Sequence, residues 1–90
     1  MRVARHYVVS GRVQGVSFRF FTYEAAVRED LRGWVRNQPD GTVEILAEGD
    51  EESVQRFEQF VRQGPPMAEV TNLAVTSVSV DRGHTSFSIL

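Results

Sequence analysis

The residues best placed to do chemistry are an arginine at the start of a helix and an asparagine at the end of a strand. Arg12-Val13-Gln14-Gly15-Val16-Ser17 reads as a loop around Gly15, and Arg19 stands one residue past the expected helix start at Phe18. A glycine-containing turn feeding a helix N-terminus offers several unpaired backbone N–H groups to an anion. A guanidinium beside them has the planar fork that matches two oxygens of a phosphoryl group. On spacing alone, a short loop carrying a surface arginine is an equal account. The second segment, Gly33-Trp34-Val35-Arg36-Asn37, precedes the turn Gln38-Pro39-Asp40-Gly41. Asn37 is by default a turn residue bonded to its own backbone. Its amide could instead orient a water, because it both donates and accepts, but it cannot remove a proton.

The rest of the inventory removes other chemistries. The chain has no cysteine, so thiolate metal sites and cysteine nucleophiles are absent. A cysteine-loop phosphatase would need its thiolate where Val13 stands, six positions before Arg19. All ten basic residues are arginine, so no lysine can form a Schiff base or act as a general base. His6 and His84 are far apart in sequence and read as strand or turn residues rather than metal ligands. Ser17 has no neighbouring His to activate it as a nucleophile. Asp40 reads as a turn residue and Asp50 as a helix N-cap, in preference to an acid–base pair. Phe20 is expected in the core, Trp34 in the core or a pocket wall, and Phe18 or Phe21 at a substrate mouth.

The elements that must position these groups follow from periodicity and turn chemistry. Val3–Ser10 is rich in β-branched and aromatic residues and reads as a strand ended by Gly11. A helix is predicted from Phe18 to Leu31, with Phe20, Tyr23, Val27 and Leu31 as its buried face. A short strand at 34–37, the Pro-Asp-Gly turn and a strand over 42–48 form a hairpin. A second helix follows Asp50, buries Val54, Phe57, Phe60 and Val61, and stops at Gly64-Pro65-Pro66. A strand over 70–80 changes phase between Val75 and Val78, which predicts a bulge, and a short strand ends the chain with Phe87 and Ile89 on one side. This order gives an α+β, ferredoxin-like βαββαβ sandwich: an antiparallel sheet, two helices on one face, and a short extra C-terminal strand. The ninety residues, 41% apolar and 24% charged, read as a single domain, residues 1–90.

Two motifs together are more specific than either residue. Gly11-Arg12-Val13-Gln14-Gly15-Val16-Ser17-Phe18-Arg19 resembles the first signature of the acylphosphatase family. Gly33-Trp34-Val35-Arg36-Asn37, followed by Gly41, Val43 and Gly49, resembles the second. The resemblance covers nearly the whole chain, including Gly64-Pro65-Pro66 and Phe87-Ser88-Ile89. It implies hydrolysis of acyl phosphates to a carboxylate and inorganic phosphate, without metal or organic cofactor. It further implies a phosphate cradle from the Arg19 side chain and the backbone amides of Gln14, Gly15, Val16, Ser17 and Phe18, with Asn37 holding the attacking water. Ser17 occupies a position that varies in the family.

The chemistry agrees with the inventory independently of the name. An acyl phosphate is a mixed anhydride whose carboxylate departs unprotonated, so no general acid is required. Its transition state is loose, and positioning with electrostatic stabilisation supplies most of the catalysis. A phosphate oxygen of the substrate can accept the proton of the water. Two other classes compete: an anion-binding regulatory domain without turnover, which would not need Asn37, and a single-stranded RNA module. The latter would present paired aromatics on central strands, whereas those expected here carry His6 or Tyr7 and the Val43–Ile45 row. The net charge of −2 also disfavours nucleic acid. No segment reads as a signal peptide or membrane span, so a cytoplasmic, stand-alone monomer is expected, with inorganic phosphate as product and inhibitor. The acyl group itself stays open, carbamoyl phosphate included.

Overall fold

Alternating strand and helix patterns give seven elements in the computed structural model, which describes all 90 residues. They are β1 (Arg2–Arg12), α1 (Phe18–Arg28), β2 (Arg32–Asn37), β3 (Val43–Asp50), α2 (Glu51–Gln63), β4 (Glu69–Val78) and β5 (Phe87–Ile89). The sheet order is β4-β1-β3-β2-β5. β1 lies between β3 and β4, antiparallel to both, and β2 is antiparallel to β3. Two interleaved βαβ units result, which is the ferredoxin-like arrangement. β5 pairs with β2 in parallel, so the completed sheet is mixed rather than purely antiparallel.

Strand alternation sets the core. Tyr7 and Val9 of β1, Val35 of β2, and Val43, Ile45 and Ala47 of β3 are fully buried on one face. α2 seals that face with Val54, Phe57 and Val61, as its periodicity predicts, while Phe60 is half-buried. Tyr7 hands its hydroxyl to Glu58 of α2 at 3.3 Å, and burial together with that carboxylate pushes its pKa far up. It is a structural phenol. Asp50 caps α2 by position, but its side chain meets the Met1 amine instead of a helix N–H.

α1 departs from the expected pattern. Its buried residues are Phe18, Thr22, Ala25 and Ala26, whereas Phe20 is 55% exposed and Val27 53% exposed. Beyond Phe18 the inner face is made of small residues, and the larger Phe20 and Val27 turn outward. The helix also stops at Arg28. Leu31 N–H bonds the Ala26 carbonyl and Asp30 N–H bonds that of Val27, with Asp30 at φ 57. This is a Schellman stop made with Asp where Gly is usual. Leu31 is buried, but beyond the helix.

The bulge also lies elsewhere than the phase change suggested. Ser10 pairs with Asn72 and Gly11 with Val70, so Thr71 is the extra residue. Gly11 has φ 116, and a Cβ there would sit 2.1 Å from the Glu69 carbonyl oxygen, so only glycine permits the contact. β1 therefore runs through Gly11 to Arg12. Val75 and Val78 are each 39% exposed on an edge strand, where alternation is weakly selected.

On the outer face, Glu48 is buried. It accepts Arg2 at 2.9 Å and the Asp81 N–H at 2.7 Å, tying the segment before β5 to the sheet centre. Trp34 is also on this face, beside His6 and under Arg36, and belongs to neither the core nor the wall of the site below.

Candidate active site

β1, β2 and β5 point the same way, so their C-terminal ends meet at one edge of the sheet. The loop over 13–17 leaves β1 there, α1 starts there, and Asn37 is the last residue of β2. Val35 and Asn37 share parity, so Asn37 faces the helix side beyond the core. Ile89 pairs with Val35 and brings β5 to the same place. The result is a cavity of about 230 Å³ lined by Val13, Gly15, Ser17, Phe18, Arg19, Phe20, Asn37 and Ile89. Two segments predicted separately, the glycine loop and the end of the second strand, are thereby brought together. A larger concavity of about 700 Å³ lies against α2, lined mainly by polar side chains including Glu52, Gln55 and Arg56, and contains none of the predicted residues.

Two residues of the loop have left-handed backbones. Gly15 has φ 73 and Ser17, the N-cap of α1, has φ 63. A non-glycine residue in the left-handed region costs on the order of 1 kcal/mol or more, and such strain gathers at ligand clamps. Left-handed residues within a turn aim successive N–H groups into one concavity. The Ser17 side chain makes no capping bond, and outside helices and strands no backbone carbonyl takes an N–H from residues 14–20. Those donors stand at the positive end of the α1 dipole.

Arg19 completes the positive field. Arg2, Arg36, Arg56 and Arg62 each pair with a carboxylate. Arg19 donates one N–H to the main-chain oxygen of Leu90 at 2.9 Å. No carboxylate lines the cavity. Asn37 supplies a different function. Its Oδ1 is buried and has no hydrogen-bond partner. Buried acceptors are paired in the great majority of cases, so an orphan that lines a cavity marks a place for a donor.

Gln14 was expected to contribute its backbone alone. Its side chain does more: Nε2 donates to the Gln38 carbonyl at 2.7 Å and to the Thr42 carbonyl at 2.9 Å. The glycine loop is thus clamped to both ends of the hairpin turn that follows Asn37. Periodicity carries no sign of this bond, since it joins segments 24 and 28 residues apart. The turn is itself fastened, with Asp40 accepting from the Thr42 N–H and hydroxyl, bonds that hold the Asp40 carboxyl below its usual pKa. Phe18, expected at a mouth, is 1% exposed and forms the floor with Phe21 against it; Phe20, expected in the core, is at the mouth.

A match to the Acylphosphatase family model spans residues 5–89. The chain belongs to the acylphosphatase family. It is 49% identical over 88 residues to an acylphosphatase of Gloeobacter violaceus, covering 98% of this chain and 94% of that one. It superposes on the crystal structure of acylphosphatase from Bacillus subtilis with TM-score 0.94 and 45% identity, covering 98% of both chains. An acylphosphatase structure from Coxiella burnetii gives TM-score 0.94 at 34% identity, over 99% and 93% of the two chains. As an acylphosphatase, the protein hydrolyses carboxyl–phosphate anhydrides to a carboxylate and inorganic phosphate. The family fits the donor set. His6 pairs with Glu44, and His84 approaches Asp81; no group of three or more His, Asp or Glu is placed to hold a metal ion. No helix is long and apolar enough to cross a membrane.

Proposed function

We propose that Arg19 and the backbone N–H groups of Gln14, Gly15, Val16, Ser17 and Phe18 bind the phosphoryl group, and that Asn37 holds the attacking water in line with phosphorus. The observation that carries this assignment is the buried, unpaired Oδ1 of Asn37 in the same cavity as Arg19. The amide accepts one hydrogen bond from the water and so points a lone pair of the water at phosphorus. As the new P–O bond forms, the bond from phosphorus to the acyl oxygen breaks and its electron pair leaves on the carboxylate. The water proton passes to a phosphoryl oxygen. The amides and the α1 dipole are fixed before reaction and, with Arg19, match the charge on the equatorial oxygens, which is where preorganised electrostatics contributes most. One of the five N–H donors of Arg19 is engaged with the main-chain oxygen of Leu90, and the others are available to phosphate oxygens.

The test is hydrolysis of benzoyl phosphate, with chelator present, by the wild type, Arg19→Ala and Asn37→Ala. Arg19→Ala is expected to lose both phosphate affinity and turnover, and near-normal activity would refute its role. Asn37→Ala is expected to lose about 10²–10³ in kcat, the range for removing one preorganised polar group, while inorganic phosphate still inhibits. Loss of phosphate inhibition would make Asn37 structural, and a rate that falls with chelator would require a metal. The same proposal has residues 1–90 acting as one domain, a cytoplasmic monomer inhibited by its phosphate product and without nucleic-acid or membrane partners. It is supported by a single hydrophobic core drawn from every element except β4, against which Val70 and Leu73 of that strand pack. Gel filtration with and without phosphate checks the monomer.

A further inference from the structure

The cavity has a second, apolar half that phosphate binding does not use. Of its apolar lining, Val13 and Phe18 are each 1% exposed and belong to the core. Phe20 and Ile89 are different: they are 55% and 42% exposed, and they flank the opening beside Arg19 and Asn37. The Phe20 ring is not loose. It stacks on Tyr23 with centroids 6.4 Å apart and planes 21° from parallel, and Tyr23 in turn packs against buried Phe87. An aromatic ring held out of the core, beside a charged pocket, is a rigid contact surface of low entropic cost.

We propose that Phe20 and Ile89 form an acyl subsite, and that it selects acyl phosphates whose acyl group is uncharged and apolar. The proposal rests on the placement of the phosphoryl group at Arg19 and the loop amides. With phosphorus there, the acyl group must leave the cavity through its mouth. At about 230 Å³ the cavity is smaller than the ~300–1,000 Å³ typical of pockets that enclose a whole drug-sized ligand. The acyl group therefore lies against Phe20 and Ile89 instead of inside a chamber. Arg19 is the only charged side chain in the lining, and the phosphoryl group occupies it. A carboxylate or ammonium on the acyl group finds no charged partner in that lining and gains nothing from Phe20 and Ile89, whereas an apolar group does. The acyl carbons do not change bonding during P–O cleavage, so this contact binds ground state and transition state alike. Its effect falls on KM more than on kcat.

The experiment compares benzoyl phosphate, acetyl phosphate and succinyl phosphate as substrates of the wild type, Phe20→Ala and Phe20→Leu. Phe20 is exposed, and inhibition by inorganic phosphate, which has no acyl group, reports whether the cradle survives each substitution. The ratio of kcat/KM for benzoyl over acetyl phosphate is expected to fall about tenfold in Phe20→Ala, at the low end for a group lost from a hydrophobic pocket. The loss should be carried by KM and partly restored in Phe20→Leu. Succinyl phosphate should be the poorest wild-type substrate. A ratio that Phe20→Ala leaves unmoved, or a wild type that prefers succinyl phosphate, overturns the acyl subsite. If Arg19→Ala is inactive while the ratio stays fixed, only this subsite fails. If Arg19→Ala works at full rate, the phosphoryl assignment beneath it fails.

Discussion

Replacing Gln14 with Met separates the clamp from the cradle. The substitution keeps the length of the side chain and the backbone N–H, and removes the two bonds to the Gln38 and Thr42 carbonyls. The cost to stability is bounded by what those carbonyls keep. Gln38 O still accepts from Gly41 N–H at 3.1 Å, and Thr42 O from Gln38 N–H at 2.9 Å. Neither becomes an orphan, so each lost bond costs about 1 kcal/mol or less, not the larger penalty of an unsatisfied group. A total of about 1–2 kcal/mol lowers Tm by roughly 4–16 °C in a domain of this size. The catalytic cost is separate. Asn37 precedes Gln38 directly, and a shift of ~1 Å in a positioning group costs about 10²-fold in rate. Since β2 still holds Asn37 on the other side, a fall of about 10- to 100-fold in kcat is expected. The assay is benzoyl phosphate turnover by wild type, Gln14→Met, Asn37→Ala and the double variant, with phosphate inhibition and Tm for each. If Gln14 acts through Asn37, its removal costs little further once Asn37 is gone, because coupled residues are not additive. Equal rate penalties in both backgrounds, or a lowered Tm with an unchanged kcat, would refute the clamp as a catalytic device.

Two further outcomes concern the sheet. Glu48→Ala leaves the Asp81 N–H without its acceptor, while partly exposed Arg2 can turn to water; a cost of about 1–3 kcal/mol is expected, and a urea midpoint within error of the wild type would show that water replaces the carboxylate freely. Burial raises the pKa of Glu44, but hydrogen bonds from His6 and Arg36 outweigh it and hold the carboxyl below its ordinary value of 4.5. A depressed carboxylate contributes stability above its unfolded pKa and loses it as pH falls through the folded one. Glu44→Gln should therefore narrow its Tm gap to the wild type as pH drops from 7 to below about 4, and a constant gap would mean the ion pairs contribute nothing.

The order of elements was legible because each boundary is carried by local chemistry. Pro39-Asp40-Gly41 makes its turn, Gly64-Pro65-Pro66 ends α2, and Val43, Ile45 and Ala47 alternate into the core. The bulge was not. It depends on how Gly11 meets the Glu69 carbonyl across two strands, which no window of sequence contains. The helix stop at Asp30 was hidden for a different reason, since its left-handed residue is not the glycine that usually signals it.

The departure of α1 from simple periodicity is also the most informative about function. Periodicity assigns Phe20 to the core because it assumes that large apolar residues define the buried face. Here Phe18 and the small residues Thr22, Ala25 and Ala26 define it, and small residues permit close packing against the sheet. The height of α1 over the sheet sets how its first turn, with Arg19 and the loop amides, stands to the end of β2, and the two share one cavity. A bulky inner face would lift the helix and open the distance between the phosphoryl donors and Asn37. The same geometry frees Phe20 to stand at the mouth. Local propensity is expected to fail where a site imposes its own demand, and in this helix the failure and the site coincide. Substituting Ala26, which is fully buried, by Leu tests the link, because overpacking costs about 1–3 kcal/mol in a closed core. If close packing sets the site, kcat falls with it while inorganic phosphate, which the proposal places on the loop and Arg19, still binds. A variant that loses stability but keeps kcat would show that the helix height does not set the distance to Asn37.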